Sequence, residues 1–370
     1  MDARERGRQY GEAARHQIER GIEFYGEAFA RSAGLQWSEV LERSVGWIPM
    51  IEAYLPEILE EVRGIAEGAN RRFEEILALN ARGELSTQNP FAGRDKADEG
   101  CSSFALLPEA TGDGHTYCGQ NWDWRAGIAD TVMVLRIVQP GKPTVIAQVE
   151  AGQVGRHGVN SAGLALNANG LGGARFKAGL GMPGTFVRRK ILESWTLYDA
   201  LQAVFRVTQR FSTNLLLTHR DGFAIDVETT PGRHGWMYPE DGVLVHTNHF
   251  VAFTPPQIDG SYKPADVDSL YRRPRIQKGL RGIREAGSPK MVHKVVRATM
   301  SDHFSHPHSV CRHPDPLENA LDRYLTVISS LVDLTTGEYR LTHGAPCENE
   351  YELLPWNVYD GPSEPVGGRG

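Results

Sequence analysis

Basic charge, long apolar runs and paired cysteines are all scarce in this 370-residue sequence. A formal net charge of −6 supplies no cationic field for nucleic acid or an anionic membrane, so the expected partner is a small molecule. No apolar stretch approaches the roughly 18–20 residues that span a bilayer, and the opening MDARERGRQYGEAARHQ lacks the apolar centre of a secretory signal. The final GPSEPVGGRG is neither an ER-retention nor a peroxisomal signal. A cytoplasmic protein with no nucleic-acid and no membrane partner is expected. The four cysteines (Cys101, Cys118, Cys311 and Cys347) are widely spaced, form no C-x-x-C pair, and belong to a chain too large to need disulfide staples. Reduced thiols are therefore expected. Internal repeats and low-complexity tracts are absent as well.

What the chain does contain is enough apolar material, 40% of residues, for a sizeable core, arranged in two textures. Up to about residue 85 it reads as helix. Ile18, Ile22, Tyr25 and Phe29 recur on one stripe. Pro56 suits a helix first turn, with Ile58, Val62 and Ile65 buried and the charged residues around them facing out. A short helix through Phe73, Ile76, Leu77 and Asn80 leads into LSTQNPFAGRDKADEG, a Pro- and Gly-bearing charged segment that reads as an exposed linker. From Cys101 the pattern turns to short strands: CSSFALL, HTYCGQNWDW, TVMVLRIVQ, TVIAQVEAG and NSAGLALNAN. Helices are predicted over about 185–206, strands at NLLLTH, FAIDVETT and GVLVHTNHF, and further helices at 269–283 and 317–331. Strands and helices that segregate in this way argue for an α+β fold with antiparallel sheets.

Cys101 begins a strand directly after Gly100 and an acidic linker. One reading is a small buried hydrophobe, since free cysteine is among the most buried residue types. The other is a nucleophile. Its thiol can attack the Gly100 carbonyl, and glycine, lacking Cβ, can take the strained backbone that this attack needs. An N-to-S acyl shift gives a thioester, and hydrolysis then frees the α-amino group of Cys101. With an ordinary pKa of about 7.7–8, that amine can serve as base for its own thiol.

The segment EGCSSFALLPEATGDGHTYCGQNWDW resembles the start of the β-subunit in the acyl-coenzyme A:6-aminopenicillanic acid acyltransferase family of autoproteolytic enzymes. The resemblance continues in family order through VIAQVEAGQVGRHGVNSAGLALNANGL, VHTNHF and SVCR. It implies the N-terminal nucleophile hydrolase fold, a four-layer αββα arrangement with two packed antiparallel sheets. It also implies self-cleavage between Gly100 and Cys101, leaving a helical fragment 1–100 and a catalytic fragment 101–370 that remain associated. Asn248 matches the family's catalytic asparagine, a donor to the oxyanion, where one such donor is worth roughly 2.7–4 kcal/mol. Asp123 matches the aspartate that orients the new amino terminus. Without the resemblance, Asn248 reads as a strand-end cap and Asp123 as a solvated strand end.

Ser103, two residues beyond Cys101, shares its strand face and falls where the family has a hydroxyl that assists cleavage. Related bile-salt and penicillin V hydrolases carry an arginine near the position of Gln120, so a charged anchor of that kind is missing here. Gln120, Asn121, Asn167, Asn169, His249, Ser309 and Arg312 are candidates for lining or supporting the pocket. Arg312 could clamp a substrate carboxylate or phosphate, or salt-bridge a neighbour. The expected substrate is a small-molecule amide or acyl donor, and no cofactor is expected. Acyl transfer from acyl-CoA, and an uncleaved non-catalytic binding protein, are the alternatives.

Three further signals carry less. HFSHPHSVCRHPDP concentrates His303, His306, His308, Cys311 and His313, which invites a zinc reading, but no second donor group has ligand spacing and no metal is expected. GLGMPG at 179–184 satisfies G-x-G-x-x-G without the apolar strand that a dinucleotide site requires. NSAG at 160–163 lacks the first glycine of G-x-S-x-G and reads as a tight turn.

Overall fold

The stripe Ile18, Ile22, Tyr25 and Phe29 is buried, as its spacing requires, in a computed structural model that describes residues 1–87, 100–171, 180–254 and 266–362. Helices α1 (Ala3–Ala13), α2 (Arg15–Ala33), α3 (Trp37–Ser44), α4 (Ile48–Tyr54), α5 (Pro56–Ala69), α6 (Phe73–Asn80) and α7 (Arg82–Thr87) come first. Strands β1 (Gly100–Leu106), β2 (Tyr117–Arg125), β3 (Val132–Ile137), β4 (Val145–Glu150), β5 (His157–Asn160) and β6 (Leu164–Gly170) follow. Next are α8 (Gly184–Leu192), α9 (Leu197–Phe205), β7 (Thr213–His219), β8 (Phe223–Thr230), β9 (Arg233–Met237) and β10 (Val243–His246). The chain closes with α10 (Ser269–Gly279), α11 (Pro289–Met300), β11 (Tyr324–Asp333), β12 (Glu338–Leu341) and β13 (Glu352–Leu353). Most of the predicted linker, residues 88–99, lies outside the described residues, as does the first residue of GLGMPG.

The strands form two wholly antiparallel sheets, one ordered β10-β1-β2-β11-β12-β13 and the other β3-β4-β5-β6-β7-β8-β9. Leu166, Ala168, Leu215 and Val227 of the second sheet share a core with α2, α5, α6, α8 and α9. On the outer side of the first sheet, Phe104, Tyr117, Val245 and Leu331 pack with Ile276 of α10 and Val292, Val296 and Met300 of α11. Ala105, Leu107 and Leu244 meet Leu216 and Ala224 between the sheets. The layers therefore run helix, sheet, sheet, helix, and the fold is the α+β, four-layer αββα arrangement that the sequence implied. Among the described residues, no helix is long and apolar enough to cross a membrane.

Two local expectations fail. Residues 324–331 belong to a central strand, not a helix: β11 lies between β2 and β12, and its burial is almost unbroken. A strand buried on both faces reads as a continuous apolar run with no period of two, so periodicity cannot separate it from a helix. On α5, Glu61 does not face out. It is buried, and its carboxylate takes two 2.9 Å hydrogen bonds from Arg189 and two from Arg6, at 2.8 and 2.6 Å. It sits three residues after Ile58 and four before Ile65, on the buried stripe itself, where only a paired charge is tolerated.

Candidate active site

Cys101 is the second residue of β1, fully buried, with Trp122 of β2 as its Cα partner across the ladder. Gly100 pairs with Asp123 in the same register. Side chains alternate along a strand, so neighbours on β1 serve different layers. Ser102 faces α10 and accepts a 2.9 Å hydrogen bond from Arg272. Ser103 faces the second sheet and accepts one of 2.9 Å from Asn169 of β6. The peptide at Gly100–Cys101 thus lies where the first sheet meets both neighbours.

Four side chains converge on that backbone. The Cys101 N–H donates to Asn248 Oδ1 at 2.9 Å, and the Cys101 carbonyl accepts from Arg272 Nη1 at 2.7 Å. Arg272 Nη2 also donates to Asn248 Oδ1 at 2.8 Å. With two N–H donors on one side, the carboxamide must present its oxygen to Cys101, which leaves Nδ2 to donate to the Gly170 carbonyl at 3.0 Å. A Cβ placed on Gly100 would lie 3.3 Å from both Arg312 Nη1 and Asp123 Cβ, so the site closes around a residue with no side chain.

Asp123 is fully buried; its Oδ1 accepts from Thr326 Oγ1 at 2.7 Å, while Oδ2 has no hydrogen-bond partner among the described residues. Burial pushes its carboxyl up to about 7, against the opposing pull of Arg272, Thr326 and Arg312. Thr326 is the ladder partner of Asp123, and β11 shifts register immediately after it. Its hydroxyl also accepts from the Arg312 N–H at 2.9 Å. Asp268, at the start of α10, joins the two cations by accepting from Arg272 Nη2 and Arg312 Nη1, each at 2.9 Å. Burial would raise the Asp268 carboxyl, but the two guanidinium groups overcome it and hold it below its ordinary value. Arg272 keeps its proton despite full burial because Asp268 and Asp123 flank it.

The remaining sequence candidates divide by the layer they serve. Gln120 bridges the sheets, donating to the Ala168 carbonyl at 2.8 Å and accepting from its N–H at 3.1 Å. Asn169 N–H donates to Asn214 at 2.8 Å, and Asn167 lies buried on the same strand. Asn121 points the other way and holds the loop after α11 through the Met300 and Val310 carbonyls, at 2.9 and 2.8 Å. His249 contacts Ser269 Oγ at 2.7 Å, and burial, with the charges of nearby His246, Arg273 and Arg272, brings its imidazole down to about 4. Ser309 donates to the Cys311 carbonyl at 2.6 Å. Of the two readings of Arg312, the salt bridge to a neighbour is present: Asp268 engages its guanidinium in the interior. Arg272, Asp268 and Thr326 were not foreseen. The i,i+4 spacing of Asp268 and Arg272 on a predicted helix was the available signal for the first two.

Two stacked antiparallel sheets with helices outside both, and a buried cysteine next to the start of an inner strand, are the architecture of the amide-acting hydrolases and acyltransferases of the N-terminal nucleophile type. Residues 110–346 match the acyl-coenzyme A:6-aminopenicillanic acid acyl-transferase family, and the chain belongs to that family. It is 29% identical over 314 residues to the 40 kDa form of acyl-coenzyme A:6-aminopenicillanic-acid-acyltransferase of Emericella nidulans, covering 83% of this chain and 81% of that protein. Among solved structures, a variant conjugated bile acid hydrolase of Clostridium perfringens overlays 70% of this chain and 97% of its own, at 12% identity and a TM-score of 0.43. The penicillin V acylase of Agrobacterium tumefaciens overlays 70% and 88%, at 13% identity and a TM-score of 0.42.

Proposed function

We propose that the chain cuts itself between Gly100 and Cys101 and that the resulting N-terminal Cys101 cleaves a small amide through a thioester. The convergence of Asn248, Arg272, Asp123 and Arg312 on one buried peptide carries this reading, because a merely structural cysteine needs no charges around its backbone. In the first stage, Sγ bonds to the Gly100 carbonyl carbon, the C–N bond breaks, and the thiol proton passes to the Cys101 nitrogen. Water then hydrolyses the thioester, giving a Gly100 carboxylate and restoring the thiol. Asn248 Oδ1, already bound to that nitrogen, keeps hold of the new amine, and Asp123 Oδ2 offers it a counter-charge.

In the second stage the amine takes the thiol proton, Sγ attacks the substrate carbonyl, and the departing amine leaves with a proton. Water or a small amine then takes the acyl group from sulfur. Oxyanion stabilisation is assigned to the guanidinium groups beside Gly100, because Asn248 turns its oxygen to Cys101 and gives its Nδ2 to the Gly170 carbonyl. A cleft lined by Asn80, Arg82, Glu84, Arg156, Arg188 and Phe211 opens nearby. Arg156 stacks 4.1 Å over Trp122, the ladder partner of Cys101.

Intact mass under denaturing conditions tests the reading. Wild type should give two fragments meeting at Gly100–Cys101, and Cys101→Ala a single full-length chain with no amide turnover. Turnover by an uncut wild-type chain would sink it.

A further inference from the structure

The fold assembles a second cluster on the segment that carries Arg312. His303 and His313 bring their Nε2 atoms to 3.1 Å, and Cys311 and Cys347 their Sγ atoms to 3.4 Å. His313 Nε2 lies 3.7 Å from Cys311 Sγ and 3.4 Å from Cys347 Sγ, and all four donor atoms fall within 4.8 Å of one another. Zinc bonds sulfur at about 2.3 Å and imidazole at about 2.0–2.1 Å, so the edges of a Cys2His2 tetrahedron measure about 3.3 Å for N–N, 3.6 Å for N–S and 3.8 Å for S–S. Four of the six separations lie within a few tenths of an ångström of those edges, and the other two, from His303 to the two sulfurs, are within 4.8 Å. Hydrogen bonds between thiols and imidazoles explain the contacts pair by pair. They do not explain why four soft or borderline donors surround one point. A disulfide between Cys311 and Cys347 would leave both imidazoles unaccounted for.

We propose that His303, Cys311, His313 and Cys347 bind one Zn2+ as a structural site. Four protein donors close the tetrahedron and leave no position for substrate, which separates this site from a catalytic zinc. The other nitrogen of His313, Nδ1, lies 3.8 Å from the Glu348 carboxylate, on the side where a metal-bound histidine finds its orienting partner. Cys311 is buried while His303 is exposed, so the ion has a path in from solvent. The sequence reading set zinc aside for want of a second donor group, and that ground fails: Cys347 comes from the turn after β12 and completes the set.

The position of the ligands gives the metal its role. Cys311 and His313 flank Arg312, whose guanidinium holds Asp268 and whose N–H holds Thr326, the hydroxyl that in turn donates to Asp123. Zinc would pin that backbone and so position Arg312 without touching substrate.

The test uses the full chain, purified under reducing conditions, stripped of loose metal and supplied with Zn2+ or Co2+ alone. About one zinc per chain should be retained, and Co2+ should give the intense visible bands of a tetrahedral site with thiolate charge transfer. Cys347→Ser and His303→Ala should each weaken zinc binding by at least tenfold, and Glu348→Gln by about tenfold. His303 is exposed, so its replacement tests the site without disturbing the core. Cys101→Ala should bind zinc as wild type does, which keeps this result separate from that of self-cleavage. Failure of the reduced chain to retain zinc, a cobalt spectrum without thiolate bands, or unchanged binding in Cys347→Ser would each overturn the proposal.

Discussion

Asp123 shows how one residue's surroundings set its chemistry. A carboxyl raised to about 7 is protonated below that pH and relays no proton; above it, the ionised form can carry the thiol proton to the Cys101 nitrogen. Self-cleavage of newly synthesised chain should therefore accelerate as pH rises through about 7. In Asp123→Asn the reaction should be slower and this rise should vanish. Cell-free synthesis followed by denaturing electrophoresis at a series of pH values measures both. A wild-type rate that ignores pH across this range would remove Asp123 from the proton path.

Among the elements, α1 and α5 pack backbone against backbone, and glycine permits it. A Cβ on Gly64 would lie 1.9 Å from the Arg4 carbonyl oxygen, and one on Gly7 would lie 2.0 Å from that of Glu61. Both obstacles are backbone and cannot rotate away. Gly64→Ala should push α1 off α5 and destabilise the protein by about 1–3 kcal/mol, the usual range for overpacking. Urea denaturation, with limited proteolysis near the N-terminus as a local readout, checks this; an unchanged midpoint would contradict the packing. The consequence reaches further than one helix pair. Tyr10 of α1 accepts the Gly152 N–H at 2.8 Å, so the first helix is also fastened to the turn after β4.

Contacts of this kind join the two halves of the molecule. Tyr25 donates to Glu150 at 2.6 Å, Asn80 clasps Gly152 and Val154 at 2.8 and 2.9 Å, and Trp47 reaches the Gly181 carbonyl at 2.8 Å. The buried Glu61–Arg189 pair crosses the same boundary. Breaking such a pair costs about 3–5 kcal/mol, because the surviving charge is left uncompensated in the interior. After cleavage the fragments 1–100 and 101–370 should elute as one species in native buffer and separate only in denaturant. Independent elution of the helical fragment in native buffer would show that this boundary is weaker than its contacts imply.

Local pattern alone determined a good deal. The stripe of α2, the apolar face of α5, the run of strands after Cys101 and the turn at NSAG follow from spacing and from glycine, since each depends on neighbours a few residues apart. Cys101 is a candidate on the same local ground, whereas Asp123 and Asn248 are candidates only through the family resemblance of the motifs that hold them. Tertiary structure decided the rest. Only sheet pairing makes 324–333 a central strand, turns Asn121 and Gln120 to opposite layers, and brings Arg272 and Asp268 to the Cys101 backbone. Only chain folding brings Cys347 to His303, Cys311 and His313. In each case the partner is remote in sequence, and burial, by removing water, compels polar groups to find one another in space.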